Sequence, residues 1–248
     1  MSGDARSRSR GLFITGTDTG VGKTRVACLI ARAALDSGVR VGVYKPVCSG
    51  AFAGDPPFRD DVERLAAAAG HLFPHERICP QRFAAPVAPP LAARLEGRQV
   101  DSRLLRQGAH WWAGQVDLLL VEGVGGLLSP IADDETVADL AKDLGYPLLI
   151  VAADRLGTIN HTLLTVEAAK SRDLRIAGVV VNRVTGEPDA SSAGNAVEIA
   201  RRCGAPVLGV VEFESHQMLR PGGGGATIDW VDLAAESPPR DQQHDSTN

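Results

Sequence analysis

From Gly11 onward the chain alternates short, unbroken apolar runs with longer segments whose apolar residues recur at helical spacing. That order is the signature of βαβ units and of a mainly parallel sheet with helices on both faces. GLFITG (11–16) reads as the first strand. The segment from Gly22 to Asp36 has a helical pattern and stops at Ser37-Gly38, a normal termination signal. RVGVYKP (40–46) makes the second strand, and residues 46–60, rich in Gly, Pro and Ala, make a long loop. A helix over about 61–69 then opens on Asp60 and Asp61.

Prolines in CPQRFAAPVAPPLAARLEG exclude a central strand or a continuous helix until about residue 91, which leaves a covering loop. A helix near 102–114 leads into VDLLLVEG (116–123), an apolar strand buried on both faces that ends in an acid. The pattern continues with a helix over 135–144, a strand over 147–153, a helix over 159–171, a strand over 176–182, a helix over 190–203 and a strand over 206–211. The expected layout is a flexible tail over 1–10, one α/β domain over 11–236 and a polar, disordered tail over 237–248.

Composition narrows the classes of partner. A formal net charge of -4, with arginines scattered along the chain, offers no basic field for nucleic acid. The four cysteines, Cys28, Cys48, Cys79 and Cys203, show neither a CxxC pair nor zinc spacing, which suits reduced core thiols and a cytoplasmic location. No run approaches the ~18 apolar residues of a membrane span, so no membrane partner is expected.

The candidate chemistry begins at GTDTGVGKT (16–24), a glycine turn between the first strand and the first helix. Such a turn lets backbone N–H groups and the helix dipole converge on phosphate oxygens. Lys23 adds a point charge there, and the Thr24 hydroxyl can ligate Mg²⁺. Gly16 and Gly22 enclose five residues where the common phosphate-loop spacing encloses four, yet strand, turn and helix come in the required order. Lys45 ends the second strand, and Glu122 ends a buried strand just before GVGG. In doubly wound sheets ligands lie beyond the carboxyl ends of the strands, so Lys23, Lys45 and Glu122 converge on an electrostatic phosphoryl-transfer site. The fold class is therefore α/β, of the P-loop NTPase type. Asp60 and Asp61 are equally explained by the helix dipole and by a Mg²⁺ role. His71 and His75 straddle Gly70 and Pro74 and do not read as a metal pair, and Trp111-Trp112 read as packing.

With these residues in view, the chain resembles the dethiobiotin synthetase family from about residue 11 to 212, through GTDTGVGKT, YKPVCSG, VEGVGG, LGTINHTLLT and VVVN in that order. The extra loop residue is shared with that family. The resemblance implies an ATP- and Mg²⁺-dependent cyclo-ligase that combines CO₂ with 7,8-diaminopelargonate. It runs through a carbamate and its phosphoric anhydride to dethiobiotin, ADP and phosphate. It also implies a homodimer with active sites at the subunit interface. By motif, Lys45 and Lys23 are catalytic, and Thr24, Asp61 and Glu122 hold the metal. The ATP contacts comprise Gly20, Val21, Gly22, Lys23, Thr24 and Arg25, then Asp61 and Glu122, Gly123, Val124 and Gly125. They continue at Asn182, which reads adenine, with Arg183, Glu212, Phe213 and Glu214. Thr19 and Ser49 meet the nitrogen or carbamate end of the diamine, while Gly157, Thr158 and Asn160 offer N–H groups to its carboxylate across the dimer.

Two departures stand out: Gly20 occupies a position where several relatives carry glutamate, and VVEFES (210–215) replaces a proline-containing adenine contact. A ParA/MinD-type switch ATPase is disfavoured, because Thr17, Asp18 and Thr19 stand where those proteins place a second lysine. Residues 237–248 also could not form a membrane-binding helix. A cobyrinate-type amidotransferase lacks room for its glutaminase domain, and no Asn-Lys-x-Asp stretch follows Asn182 as a GTPase requires.

Overall fold

The computed structural model describes residues 10–50, 60–187, 190–219 and 228–235. Residues 1–9 of the tail expected over 1–10, the tail expected over 237–248 and most of the loop over 46–60 lie outside the described residues, while Arg10 opens the first strand instead of ending a tail. The chain runs β1 (Arg10–Gly16), α1 (Lys23–Asp36), β2 (Val41–Tyr44), β3 (Cys48–Ser49), α2 (Asp61–Ala68) and α3 (His75–Ile78). It continues through β4 (Arg82–Phe83), α4 (Pro89–Leu95), α5 (Ser102–Trp111), β5 (Leu118–Gly126), β6 (Pro130–Ala132), β7 (Glu135–Thr136) and α6 (Val137–Leu144). The last third contributes β8 (Leu148–Ala153), α7 (Thr158–Lys170), β9 (Ile176–Asn182), α8 (Asn195–Arg202), β10 (Val207–Val211), β11 (Met218–Leu219) and α9 (Trp230–Leu233).

Seven strands form one sheet in the order β11-β10-β9-β8-β1-β5-β2, and only the edge strand β11 is antiparallel. The chain leaves β1 toward the β2 edge but leaves β5, β8 and β9 toward the opposite edge. Right-handed crossovers therefore put helices on both faces and open a crevice beyond the carboxyl ends of β1 and β5. The central strands are buried on both sides: Leu12, Phe13 and Ile14, Leu118 to Val121, and Leu148 to Val151 are all nearly inaccessible. This is why they read as continuous apolar runs rather than alternating ones.

Several boundaries differ from the sequence expectation. The fourth helix starts at Pro89, before residue 91, because proline is tolerated in the first helical turn. The helix expected over 190–203 begins only at Asn195. Short pairings β3-β4 and β6-β7, together with β11, went unanticipated, since two- and three-residue strands carry no periodicity. Trp112 is fully buried under β2 and stacks edge-on with Trp111 and Phe73, at centroid distances of 5.1 and 4.6 Å. Gly108 sits inside α5 because the Tyr44 hydroxyl, which donates to Leu105 O at 2.9 Å, would lie 2.1 Å from any Cβ there.

Candidate active site

The loop after β1 closes on Gly22, which caps α1 at φ 92°. A Cβ at this position would meet the Asn182 amide nitrogen at 2.1 Å, so both backbone and packing require glycine. No acidic side chain occupies the first turn of α1, which leaves its N-terminal dipole open to an anion. Lys23 lies across the loop and donates to Gly125 O at 2.7 Å and Asp18 O at 3.2 Å. Its burial pushes the ammonium pKa down, an effect the Glu122 carboxylate partly opposes.

Behind the loop, Lys45 from the end of β2 donates to Glu122 Oε1 and to Asp61 Oδ2, both at 2.7 Å. Thr24 Oγ1 donates to the same Glu122 oxygen at 2.8 Å. Lys45 and Glu122 are 5% and 2% exposed, so this is a buried charge cluster rather than a surface ion pair. Desolvation alone would lower the Lys45 pKa, but the Glu122 and Asp61 carboxylates outweigh it and hold the group above its ordinary value. Burial would raise the Asp61 pKa, and the Lys45 charge overcomes that and holds it below the usual carboxylate range.

The two adjacent aspartates separate by function. Asp60 caps α2, accepting from Val62 N at 2.8 Å, and pairs with Arg82 at 2.6 Å, whereas Asp61 points into the cluster. Glu122 Oε2 is buried without a hydrogen-bond partner, a costly arrangement in a finished core. With Thr24 and Asp61 beside it, it forms a set of hard oxygen donors that suits Mg²⁺.

The cluster floors a cavity of 580 Å³ whose wall includes Thr19, Gly20, Gly22, Arg25, Ser49 and Gly123 to Gly125. Gly20 adopts φ 74°, and among the described residues no atom lies within 4 Å of its would-be Cβ. Sequence reasoning missed Arg64, Ser129 and the wall formed by Pro86 to Pro89. Arg64 carried a findable signal, because it stands three residues after Asp61 on α2 and reaches it at 3.6 Å. Ser129, which accepts from Gly126 N at 2.8 Å, had none.

Other expected ligand residues lie off this wall. Val21, Asn182, Arg183, Glu212, Phe213 and Glu214 sit behind Arg25, toward the ends of β9 and β10. Asn182 differs most from expectation: it is 1% exposed, and its amide donates to Val21 O at 2.9 Å and accepts from Arg25 at 3.1 Å. These bonds use one of the amide's two donors and one of its lone pairs, so a contact from that side chain to adenine requires the buried group to be uncovered. Gly157, Thr158 and Asn160 stand at the start of α7 and do not line the 580 Å³ cavity of their own chain. A second cavity of 470 Å³, lined by Asp18, Leu128, His161 and Leu164, shares Ser129 and Pro130 with the first.

A parallel sheet with a glycine turn leading into a Gly-Lys-Thr helix, faced by a strand-end acid and lysine, defines a P-loop nucleoside-triphosphate-binding protein. Consistent with that class, a family described as "AAA domain" matches residues 10–218. The ATP-dependent dethiobiotin synthetase of Anaeromyxobacter dehalogenans (strain 2CP-C) is 51% identical over 205 residues, covering 83% of this chain and 91% of the relative. That of Bacillus subtilis (strain 168) is 42% identical, covering 81% and 86%. The chain belongs to the ATP-dependent dethiobiotin synthetase family. Among solved structures, a ParA family ATPase from Chlorobium tepidum TLS shares the fold at a TM-score of 0.50 and 16% identity, covering 84% of this chain and 85% of that one.

Proposed function

We propose that the protein forms dethiobiotin from 7,8-diaminopelargonate, CO₂ and ATP, with Mg²⁺. The observation that carries this reading is the buried Lys45, Glu122, Asp61 and Thr24 cluster at the floor of the loop cavity, with Ser49 on the adjoining wall. One amine of the diamine adds to CO₂ and loses a proton, giving a carbamate. A carbamate oxygen then attacks the γ-phosphorus and ADP departs. Finally the second amine attacks the carbonyl carbon, the C–O bond to phosphate breaks, and a proton leaves as the ureido ring closes.

Both partners that meet in the second step, the carbamate and ATP, are anions, so catalysis of that step consists of offsetting charge and fixing positions. Lys45 stabilises the transferring phosphoryl group, and Lys23 follows the β- and γ-phosphates once it exchanges its carbonyl partners for them. Thr24, Asp61 and Glu122 hold Mg²⁺, which supplies Lewis-acid neutralisation of the phosphate oxygens. Ser49 and Thr19 orient the nitrogen that carries the carbamate. The start of α7 offers the N–H groups of Ile159 and Asn160 to the substrate carboxylate of the partner subunit in a homodimer, whereas the Thr158 N–H already donates to Arg155 O at 3.1 Å. Residues 11–236 act as one domain, and the enzyme works in the cytoplasm.

The test is the complete reaction with each component omitted in turn. Phosphate release and dethiobiotin formation should both require diamine, bicarbonate, ATP and Mg²⁺ together. ATP turnover that needs no diamine and is accelerated by a protein or lipid surface would overturn the reading in favour of a switch ATPase.

A further inference from the structure

The loop hangs from the end of β1, and the groups that face the transferring phosphate come from β2, β5 and α2, all on one side of it. A nucleotide whose terminal phosphate points to that side carries its base on the other, toward the ends of β8, β9 and β10. Arg25 spans this gap. It follows Thr24 on α1 and lines the cavity, yet its guanidinium is bonded at the ends of β9 and β10. Its Nη1 donates to Asn182 Oδ1 and to Arg183 O, both at 3.1 Å, and its Nη2 donates to Ser215 O at 3.0 Å and to Glu212 O.

Four acceptors from two separate stretches of chain, 182–183 and 212–215, thus converge on one side chain. All four are uncharged oxygens, so what the site selects is the planar fork of donors rather than the positive charge. Asn182 extends the network back to the loop through Val21 O, and Arg183 ties it to Asp154 at 3.3 Å and to Glu212. Within the turn so gathered, Glu214 adopts φ 55°, a conformation that non-glycine residues hold only when their surroundings enforce it.

We propose that Arg25 is the positioning residue of the nucleobase pocket: it clamps the 212–215 turn against the end of β9 and so sets discrimination among nucleobases. The inference rests on the reading of the loop as the ATP site. The groups left to read a base edge are those of Phe213 and Glu214 in the turn, because the carbonyls of Arg183, Glu212 and Ser215 are held by Arg25 and the side chain of Asn182 is 1% exposed. Loss of the clamp leaves the phosphate loop and the Lys45 cluster intact but lets the turn move.

The test compares full-length protein with Arg25→Ala and Arg25→Lys by calorimetric titration with ATP, GTP and inorganic tripolyphosphate, alongside steady-state turnover. Arg25→Ala should weaken ATP binding about tenfold and reduce the preference for ATP over GTP about fivefold, as expected when bonds from a charged donor are lost. Tripolyphosphate, which has no base, should bind within about twofold of wild type, and turnover at saturating ATP should fall far less than kcat/KM. Arg25→Lys should restore only part of the ATP preference, since one ammonium cannot replace the fork. Equal weakening of ATP and tripolyphosphate, unchanged base preference, or full rescue by lysine would overturn the proposal, as would failure of both variants to fold. Because the binding arms need no product formation, an Arg25-dependent base preference in a protein that makes no dethiobiotin would sink the proposed function while leaving this inference standing.

Discussion

Lys45→Met removes one ammonium and keeps a side chain of similar length in the same buried slot. Each 2.7 Å ion pair of Lys45 corresponds to about 6 kcal/mol of gross Coulomb attraction at an effective dielectric constant of about 20. Most of that is offset by the desolvation of the charges, and the Asp61 share is discounted further because its side chain is 39% exposed. What remains is the penalty of leaving Glu122, 2% exposed, without its cation, which costs about 3–5 kcal/mol for a buried pair broken on one side. For a chain of this size that lowers Tm by roughly 6–20 °C. Added Mg²⁺ should recover more of the loss in the variant than it adds to wild type, since a divalent cation among Thr24, Asp61 and Glu122 takes over the missing charge. Turnover should fall about 10²–10³-fold, as for other preorganised groups that stabilise transition-state charge. Thermal melts with and without MgCl₂, and a phosphate-release assay with all substrates, measure both. A variant with wild-type Tm and turnover within tenfold would refute the view that this lysine both neutralises the cluster and serves the reaction.

Asp61→Asn should flatten the acid limb of the stability profile. The folded-state pKa of Asp61 is depressed, so its contribution is present above the unfolded carboxylate value and is lost as pH falls through the folded value; denaturant melts from pH 3 to 7 on both proteins would reveal it. The same variant should raise the Mg²⁺ concentration needed for half-maximal turnover, whereas Asp60→Asn, which can still cap α2, should chiefly cost the Arg82 ion pair, about 1 kcal/mol or less, with little change in that requirement. Gly22→Ala should abolish measurable ATP binding, because the new methyl group meets Asn182 at 2.1 Å in a backbone held at φ 92°; titration with ATP checks this. Asn160→Ala should raise the KM for the diamine with little effect on the KM for ATP, and an unchanged diamine KM would remove that side chain from substrate binding.

The sequence by itself determined the order of strands and helices, because central parallel strands buried on both faces must be written as continuous apolar runs and their covering helices as amphipathic ones. It also picked out residues in short stretches that the structure brings together, GTDTGVGKT and the strand-end Lys45 and Glu122, since the backbone geometry of such a loop depends on local glycines. The short pairings β3-β4 and β6-β7 escaped it because too few residues are involved to show a period. Only the tertiary structure decided between Asp60 and Asp61 as the partner of Lys45, for both open the same helix and a single residue step separates the cap from the side chain that meets Lys45. Likewise the adenine-side assignments could be read only as a neighbourhood. Asn182, Arg183 and the 212–215 turn are brought together by Arg25, whose four bonds span 157 to 190 residues of sequence, and no local pattern encodes a contact of that range.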